Sequence, residues 1–82
     1  PVRERHHQEG VWAGLLDGTI DMIATDHAPH DPAEKVKDVI WQADCGFIGV
    51  ETQMPLMLTQ VNAGRLGLQD YVRLASVAPA KA

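Results

Sequence analysis

The polar run over residues 26–32 contains the side chains of this sequence that are best suited to chemistry. Asp26, His27 and His30 provide one carboxylate and two imidazoles in close succession. A carboxylate can ligate a divalent metal ion, and it can also transfer a proton to or from a water molecule within hydrogen-bond reach. Pro29 fixes its own φ and restricts the residue before it, so the backbone limits the direction of His30.

The same residues also have a structural interpretation. An Asp-His pair after a strand can cap a turn or the following helix, and Asp31-Pro32 is typical of a helix start. Short motifs also occur in unrelated proteins. From the residues alone, a metal or catalytic role and a capping role therefore both stay open for Asp26 and His27.

The elements before this run predict how it is positioned. Residues 4–16 have apolar side chains at helical spacing, and Asp17-Gly18 is a typical helix stop. Residues 19–25 are β-branched and mostly apolar, which is typical of a strand buried on both faces of a parallel sheet. Helix, turn and strand form an αβ unit, and in α/β folds the functional residues lie on loops at the carboxyl ends of strands. The polar run occupies that position.

A long irregular segment follows and extends to Gly49. Connections of this length in compact domains are often functional. Trp41 is expected to anchor the segment by packing, or to line a pocket. Cys45 has no visible base partner, and a lone cysteine of this kind is more often inert than nucleophilic.

Two helices are predicted after the loop. The first runs from Thr52 to Gly64, with Pro55 in its first turn and with Met54 and Met57 in an apolar stripe that is typical of core. The second covers residues 69–76. Its expected buried side chains are Tyr71, Val72 and either Leu74 or Ala75. The predicted fold class is therefore α/β.

Composition excludes several classes of protein. The chain has 82 residues and a formal net charge of −4, so it lacks the clustered cations that nucleic-acid binding requires. One cysteine excludes an internal disulfide and suits a reducing, cytoplasmic location. No apolar run approaches the ~18 residues needed to cross a bilayer, and no signal peptide opens the chain. Because the chain starts at Pro1 and stops within a predicted helix start, we expect it to be a fragment.

The residues together resemble the long-chain (type I) dihydroorotases of the amidohydrolase superfamily. The string Gly-Thr-Ile-Asp-Met-Ile-Ala-Thr-Asp-His-Ala-Pro-His over 18–30 is similar to the segment that ends the eighth barrel strand of that family. The string Gly-Phe-Ile-Gly-Val-Glu-Thr over 46–52 is similar to its Gly-x-x-Gly-x-Glu-Thr stretch, and residues 54–58 to the helix that follows. Pro1-Val2-Arg3 resembles its Pro-Leu-Arg.

The resemblance implies a partial (β/α)8 TIM-type barrel: residues 1–82 would be part of the C-terminal region of the barrel domain and provide a helix, strand 8, a long loop and the following helices. It implies one or two Zn²⁺ ions, with Asp26 as both metal ligand and catalytic residue. Asp26 would take a proton from metal-bound hydroxide and deliver it to the departing ring nitrogen. The reaction would interconvert dihydroorotate and N-carbamoyl-aspartate in pyrimidine biosynthesis.

The same resemblance implies substrate contacts and partners. His30 would hydrogen-bond the substrate, and Cys45 and Gly46 would contact it through the backbone. Cys45 stands where Pro or Phe is commoner in the family, which is harmless if only its backbone is used. A homo-oligomer, and association with a transcarbamoylase, are also implied. The family's His-x-His pair, bridging lysine and two further histidine ligands lie outside these residues. A catalytic zinc site needs about three protein ligands, so the isolated chain is expected to be inactive.

Two other interpretations stay open, and a third is disfavoured. Hydantoinases, dihydropyrimidinases and allantoinases share the barrel and the aspartate, and His30 is the local argument for dihydroorotase instead. A catalytically dead homologue could serve as a scaffold for a transcarbamoylase. A small independent binding module is disfavoured, because a single buried strand has no sheet to join.

Overall fold

The computed structural model describes residues 3–82, and in this range the regular structure is helical. The four α-helices are α1 (Arg5–Asp17), α2 (Pro32–Lys35), α3 (Val50–Asn62) and α4 (Leu68–Val72). A π-helical turn at Arg73–Val77 continues α4, and Ile40–Gln42 and Pro79–Lys81 form 3₁₀ turns. Within residues 3–82, no helix has both the length and the apolar character to span a membrane. Pro1 and Val2, which begin the Pro-Val-Arg string, lie outside the described residues.

The chain divides into two compact units. The first contains residues up to Ala24 together with Gln60–Ala82, and the second is Thr25–Thr59. The four buried apolar residues of the described chain all lie in the first unit: Leu15, Leu66, Tyr71 and Leu74. The second unit contains the polar run, and its hydrogen bonds are described below.

The core of the first unit forms where α1, the turn after α3, and α4 meet. Leu74 has no exposed surface, and Leu15, Leu66 and Tyr71 are also buried. The predicted burial of Tyr71 and Leu74 is confirmed. The prediction for Val72 is wrong, because its side chain is 49 % exposed. Helical spacing predicted that Tyr71 and Leu74 share a buried face. It did not predict that the buried face is too narrow to include Val72.

Helix α1 agrees with the prediction to within a residue at each end. Gly18 follows its last residue with a φ of 86°, the left-handed conformation expected of a helix stop. In the next turn Asp17 Oδ1 accepts a hydrogen bond from Thr19 N at 2.8 Å. Bonds from the side chain and the backbone of Thr19 hold the pKa of the Asp17 carboxyl below its ordinary value.

The strand predicted over residues 19–25 is absent from the described chain. A strand is stable only when neighbouring strands pair with its backbone N–H and C=O groups, and residues 3–82 contain no such strands. Residues 3–82 contain a single isolated parallel bridge, between His27 and Phe47. The α/β barrel therefore stays a prediction about a larger assembly of strands.

The π-helical turn explains the one long-range backbone bond of the predicted strand. Ala78 N donates to Arg73 O at 2.8 Å, one residue further back than in an α-helix. The carbonyl of Leu74, which Ala78 would otherwise engage, instead accepts from Ile23 N at 3.0 Å. The π-helical turn therefore leaves the Leu74 carbonyl free to hold Ile23 beside the buried Leu74.

Helix α3 begins at Val50, two residues before the predicted start. Pro55 consequently lies in the second turn instead of the first, and Thr59 Oγ1 donates to its carbonyl at 2.8 Å. The predicted stop at Gly64 is confirmed by its φ of 73°. The prediction that the methionine stripe is core is wrong for this chain, because no residue of α3 is buried and Met54 is 59 % exposed.

A polar contact joins the end of α3 to α1 within the first unit. Arg65 Nη2 lies 2.7 Å from Glu9 Oε2, and the guanidinium lies 4.2 Å from the centre of the Trp12 ring. A guanidinium within about 6 Å of the centre of an aromatic ring is attracted by the negative face of the ring. Trp12 therefore packs against Arg65. Trp41 does not pack: it is 93 % exposed, so the packing role predicted for it is wrong in this chain.

We predict that Leu74→Ala destabilises the protein by about 2–5 kcal/mol, because it removes a completely buried side chain. The matched control is Gln69→Ala in α4, where the side chain is polar and exposed and the expected change is within about 0.5 kcal/mol. Urea unfolding of the full-length variants measures both. Equal losses would contradict the core described here.

Candidate active-site loop

Asp26 is held in an unusual backbone conformation. Its φ is 47°, and it is the one non-glycine residue in the described chain with a positive φ. For L-residues other than glycine the left-handed region costs roughly 1–2 kcal/mol, although aspartate and asparagine tolerate it better than most. Such strain persists only when surrounding contacts impose it, and it is frequent at functional sites.

The carboxylate of Asp26 is exposed. No hydrogen bond or ion pair within residues 3–82 engages it, whereas both neighbours are bonded through other groups. Thr25 Oγ1 accepts a bond from His27 N at 3.2 Å. An exposed, unpaired carboxylate on a constrained backbone is available to bind a cation or to exchange a proton.

The segment after Asp26 is paired with the segment before α3. His27 and Phe47 form a parallel bridge, and Ala28 N donates to Phe47 O at 2.9 Å. The two segments are Thr25–Ala28 and Gly46–Val50. Both belong to the motifs on which the sequence resemblance depends, and the structure brings these motifs into contact within the second unit.

The imidazole of His27 caps helix α3. Its Nδ1 accepts hydrogen bonds from Gly49 N at 2.9 Å and from Val50 N at 3.3 Å. Gly49 O accepts the first intrahelical bond, from Gln53 N, so Gly49 is the N-cap residue of α3. The sequence left open that the Asp-His pair caps the following helix; His27 does cap a helix, but it is α3 and not α2, the next helix in the chain. The capping interpretation does not apply to Asp26.

Two glycines permit the two segments to approach this closely. A Cβ atom on Gly46 would lie 2.5 Å from Ala28 Cβ and 2.6 Å from Ala28 O. A Cβ atom on Gly49 would lie 3.2 Å from both Thr25 Cβ and Thr25 O. The two contacts are to backbone and to a short side chain, neither of which can move aside easily. The two glycines of the Gly-x-x-Gly motif thus stand at the positions that face Ala28 and Thr25.

His30 faces two carboxylates within the second unit. Its Nδ1 lies 3.5 Å from Glu34 Oε2 and 4.0 Å from Asp44 Oδ2. Glu34 Oε2 also accepts from Asp31 N at 2.9 Å, as part of a capping box that starts α2. Because Nδ1 points at the acids, Nε2 is the ring nitrogen left for another partner.

The donor atoms of His30, Glu34 and Asp44 all lie within 4.8 Å of one another. This is the only such group of three metal-ligating side chains in residues 3–82, and Asp26 does not belong to it. The two carboxylates are exposed, and exposed acids frequently come together without a metal. The group is a histidine beside two carboxylates, one of which belongs to the capping box of α2.

The loop residues Cys45 and Gly46 differ in their contacts. The Cys45 thiol is exposed and lies 3.9 Å from Ala43 O. The carbonyl of Gly46 accepts a hydrogen bond from Lys35 Nζ, and the same ammonium lies 5.6 Å from the centre of the Phe47 ring. The acceptor at Gly46 is thus already engaged. Substrate contact by these two residues stays a prediction.

Sequence reasoning did not single out Glu34, Lys35 or Asp44. The pattern Asp31-x-x-Glu34 is a capping-box signature, and the spacing of His30 and Glu34 is i, i+4, so Glu34 could have been found from the sequence. Lys35 and Asp44 meet their partners across a loop, and no local pattern predicts such contacts.

Comparisons with known proteins bear on this loop. A dihydroorotase from Brevibacillus brevis is 48 % identical over 83 residues, which cover 100 % of this chain and 19 % of the relative. A dihydroorotase from a Geobacter species is 51 % identical over 99 % of this chain and 19 % of its own length. One from Methanosarcina acetivorans is 49 % identical over 100 % of this chain and 17 % of its own length. No protein-family profile matches the chain.

These similarities confirm the recognition made from the motifs. The chain is related in sequence to dihydroorotases along essentially all of its residues. It spans 19 % of the length of the first curated relatives that it matches. The shared region includes the whole loop described above, and most of each relative lies beyond the match.

We predict that Gly46→Ala destabilises the protein by about 1–3 kcal/mol, because the added methyl group would overlap Ala28. The matched control is Gly10→Ala in α1, where nothing lies within 4 Å of the new Cβ. That change should be neutral or stabilising by about 0.5–1 kcal/mol, because alanine is the better helix former. Thermal unfolding of both full-length variants is the measurement. An unchanged Gly46→Ala midpoint would contradict the close approach.

Proposed function

We propose that this chain is part of a metal-dependent cyclic amidohydrolase that interconverts dihydroorotate and N-carbamoyl-aspartate. The observation that supports this most strongly is Asp26, an exposed and unpaired carboxylate on a strained backbone. Its loop lies in a chain about 50 % identical to dihydroorotases, with 48 % for one relative and 51 % for another. In this proposal, residues 1–82 belong to the C-terminal part of the barrel.

Asp26 fits one position of a metal site. Its oxygens are uncommitted within residues 3–82, and a carboxylate is an ordinary zinc ligand. A catalytic zinc needs about three protein ligands, and Asp26 is not part of a three-donor group in the described chain. The remaining ligands are proposed to come from the rest of the protein. When bound, zinc lowers the pKa of a coordinated water and polarises the substrate carbonyl.

The proposed task of Asp26 is to move a proton. Its carboxylate would accept the proton of the attacking water and return it to the ring nitrogen as the amide bond breaks. General acid–base transfer of this kind typically accelerates a reaction by about 10²–10⁴-fold. The constrained backbone at residue 26 supports the assignment, because proton transfer requires the donor and acceptor to be held within hydrogen-bond distance.

His30 is proposed to bind the substrate. Glu34 and Asp44 face its Nδ1, which leaves Nε2 for a hydrogen bond to an oxygen of the substrate. Both dihydroorotate and N-carbamoyl-aspartate carry carboxylates, for which an imidazole N–H is a suitable donor. Cys45 and Gly46 lie on the same loop and are proposed to contribute through backbone groups.

The exposed apolar side chains support a place in a larger barrel. Among the residues described, fifteen large hydrophobic side chains are exposed and four hydrophobic residues are buried. A soluble protein rarely leaves so much apolar surface in contact with water. In the proposed barrel, neighbouring strands and helices cover these side chains and pair with residues 19–25, so that the predicted eighth strand forms there.

One prediction of the proposed function concerns Asp26→Asn in the full-length protein. Asparagine tolerates the left-handed conformation as well as aspartate does, so the fold should be unchanged. Turnover should fall by about 10²–10⁴-fold, because the amide cannot accept the proton. The matched control is Asp38→Asn, an exposed carboxylate in the same unit, which should retain normal turnover. A near-normal rate for Asp26→Asn would show that the proton transfer is misassigned.

The second prediction concerns the substrate. Full-length protein loaded with zinc should turn over dihydroorotate in preference to hydantoin and allantoin in side-by-side assays. Turnover of hydantoin or allantoin alone would favour the related cyclic amidohydrolases. Absence of turnover on all three, in a zinc-containing protein, would favour the catalytically inactive scaffold.

A further inference from the structure

The two hydrogen bonds between the His27 imidazole and the start of α3 also restrain the chain around residue 27. Caps are usually supplied by Ser, Thr, Asp or Asn at the N-cap position itself. Here the N-cap residue is Gly49, which has no side chain, and the acceptor comes from a residue 22 positions earlier in the chain. We call these two hydrogen bonds, from Gly49 N and Val50 N to His27 Nδ1, the His27 cap.

The His27 cap requires one particular form of the imidazole. Two backbone N–H groups point at Nδ1, at 2.9 Å and 3.3 Å, so this nitrogen must present its lone pair. In a neutral imidazole the proton then resides on Nε2. The positive end of the α3 dipole favours the same arrangement, because it stabilises a lone pair and repels a proton at Nδ1.

His27 is also bonded through its backbone on the side of Asp26. Its N–H donates to Thr25 Oγ1 at 3.2 Å, and the next residue, Ala28, donates to Phe47 O at 2.9 Å. Asp26 lies between Thr25 and His27, and both of its neighbours are thus restrained. Between these contacts the chain turns sharply at Asp26, where φ is 47°.

We infer that His27 is a positioning residue for Asp26, acting through its Nδ1 atom in the Nε2–H tautomer. The imidazole fixes residues 25–28 against the start of α3, and this imposes the left-handed backbone that directs the Asp26 carboxylate. His27 itself neither binds the substrate nor transfers a proton. The inference rests on the proposed function for its catalytic consequence, but the structural claim is measurable without any assay of turnover.

Asparagine and glutamine each resemble one part of histidine. Substitution by these two residues therefore distinguishes the loss of the acceptor at Nδ1 from the loss of the ring. In His27→Asn the amide oxygen lies close to the place of Nδ1 and can accept the same bonds. In His27→Gln it lies close to the place of Nε2, beyond the reach of Gly49 N and Val50 N. We therefore expect His27→Asn to retain the His27 cap and His27→Gln to lose it, although both replace the ring by a neutral amide.

The first readout is spectroscopic and uses full-length protein labelled with ¹⁵N in histidine and aspartate. In the wild type, His27 Nδ1 should resonate as an unprotonated nitrogen and Nε2 as a protonated one. The HN–Hα coupling of Asp26, together with a strong intraresidue HN–Hα NOE, should report a positive φ in the wild type and in His27→Asn. In His27→Gln the two should report a negative φ. A protonated Nδ1 in the wild type, or an unchanged Asp26 coupling in His27→Gln, would overturn the inference.

The second readout is kinetic. A positioning role predicts that His27→Gln lowers kcat by about 10–100-fold, with KM for dihydroorotate changed much less, because misplacement of about 1 Å can cost 10²-fold in rate. His27→Asn should stay within a few-fold of the wild type. Equal kcat for the two variants would contradict the inference. Wild-type protein that shows the expected tautomer and coupling but no turnover would contradict the proposed function and leave the positioning intact.

Discussion

The unsatisfied backbone N–H groups at the start of α3 are the constraint on which the loop depends. The first N–H groups of any helix have no partner within the helix, and they need an acceptor from elsewhere. In this chain His27 Nδ1 is that acceptor for Gly49 and Val50. Once the imidazole is committed to the helix, residues 25–28 must lie against residues 46–50. A Cβ atom at Gly46 would then overlap Ala28, and one at Gly49 would make a tight contact of 3.2 Å with Thr25, so both positions favour glycine.

This arrangement relates two sequence motifs that are 16 or more residues apart. The segment around Asp26 and the glycine-containing segment before α3 each look independent in the sequence. In the structure, the second motif supplies the two N–H donors of the His27 cap and the space, and the first supplies the imidazole acceptor and the carboxylate. In this inference, His27 restrains the backbone next to it and thereby affects the direction of the Asp26 carboxylate. It can do so without contacting any ligand that Asp26 binds.

Local patterns predicted the parts of the structure that local forces determine. The bounds of α1, the stops at Gly18 and Gly64 and the helix start at Asp31 follow from side-chain spacing, glycine conformation and capping. The strand over 19–25 failed because a strand needs hydrogen-bonding neighbours, and these are not among residues 3–82. Asp26 and His30 could be singled out from residue type and resemblance. The bonds of His27 to Gly49 and of Lys35 to Gly46 could not, because one sequence contains no record of which distant residues meet.

The π-helical turn after α4 has a consequence for how this segment tolerates changes in length. One extra residue is accommodated between Arg73 and Ala78, and this frees the Leu74 carbonyl for Ile23 N. A one-residue deletion there would restore continuous α-helical pairing and rotate everything downstream by about 100° about the helix axis. The carbonyl that holds residue 23 would then be consumed inside the helix. A change of length in this turn would therefore remove the hydrogen bond that holds Ile23, three residues before Asp26.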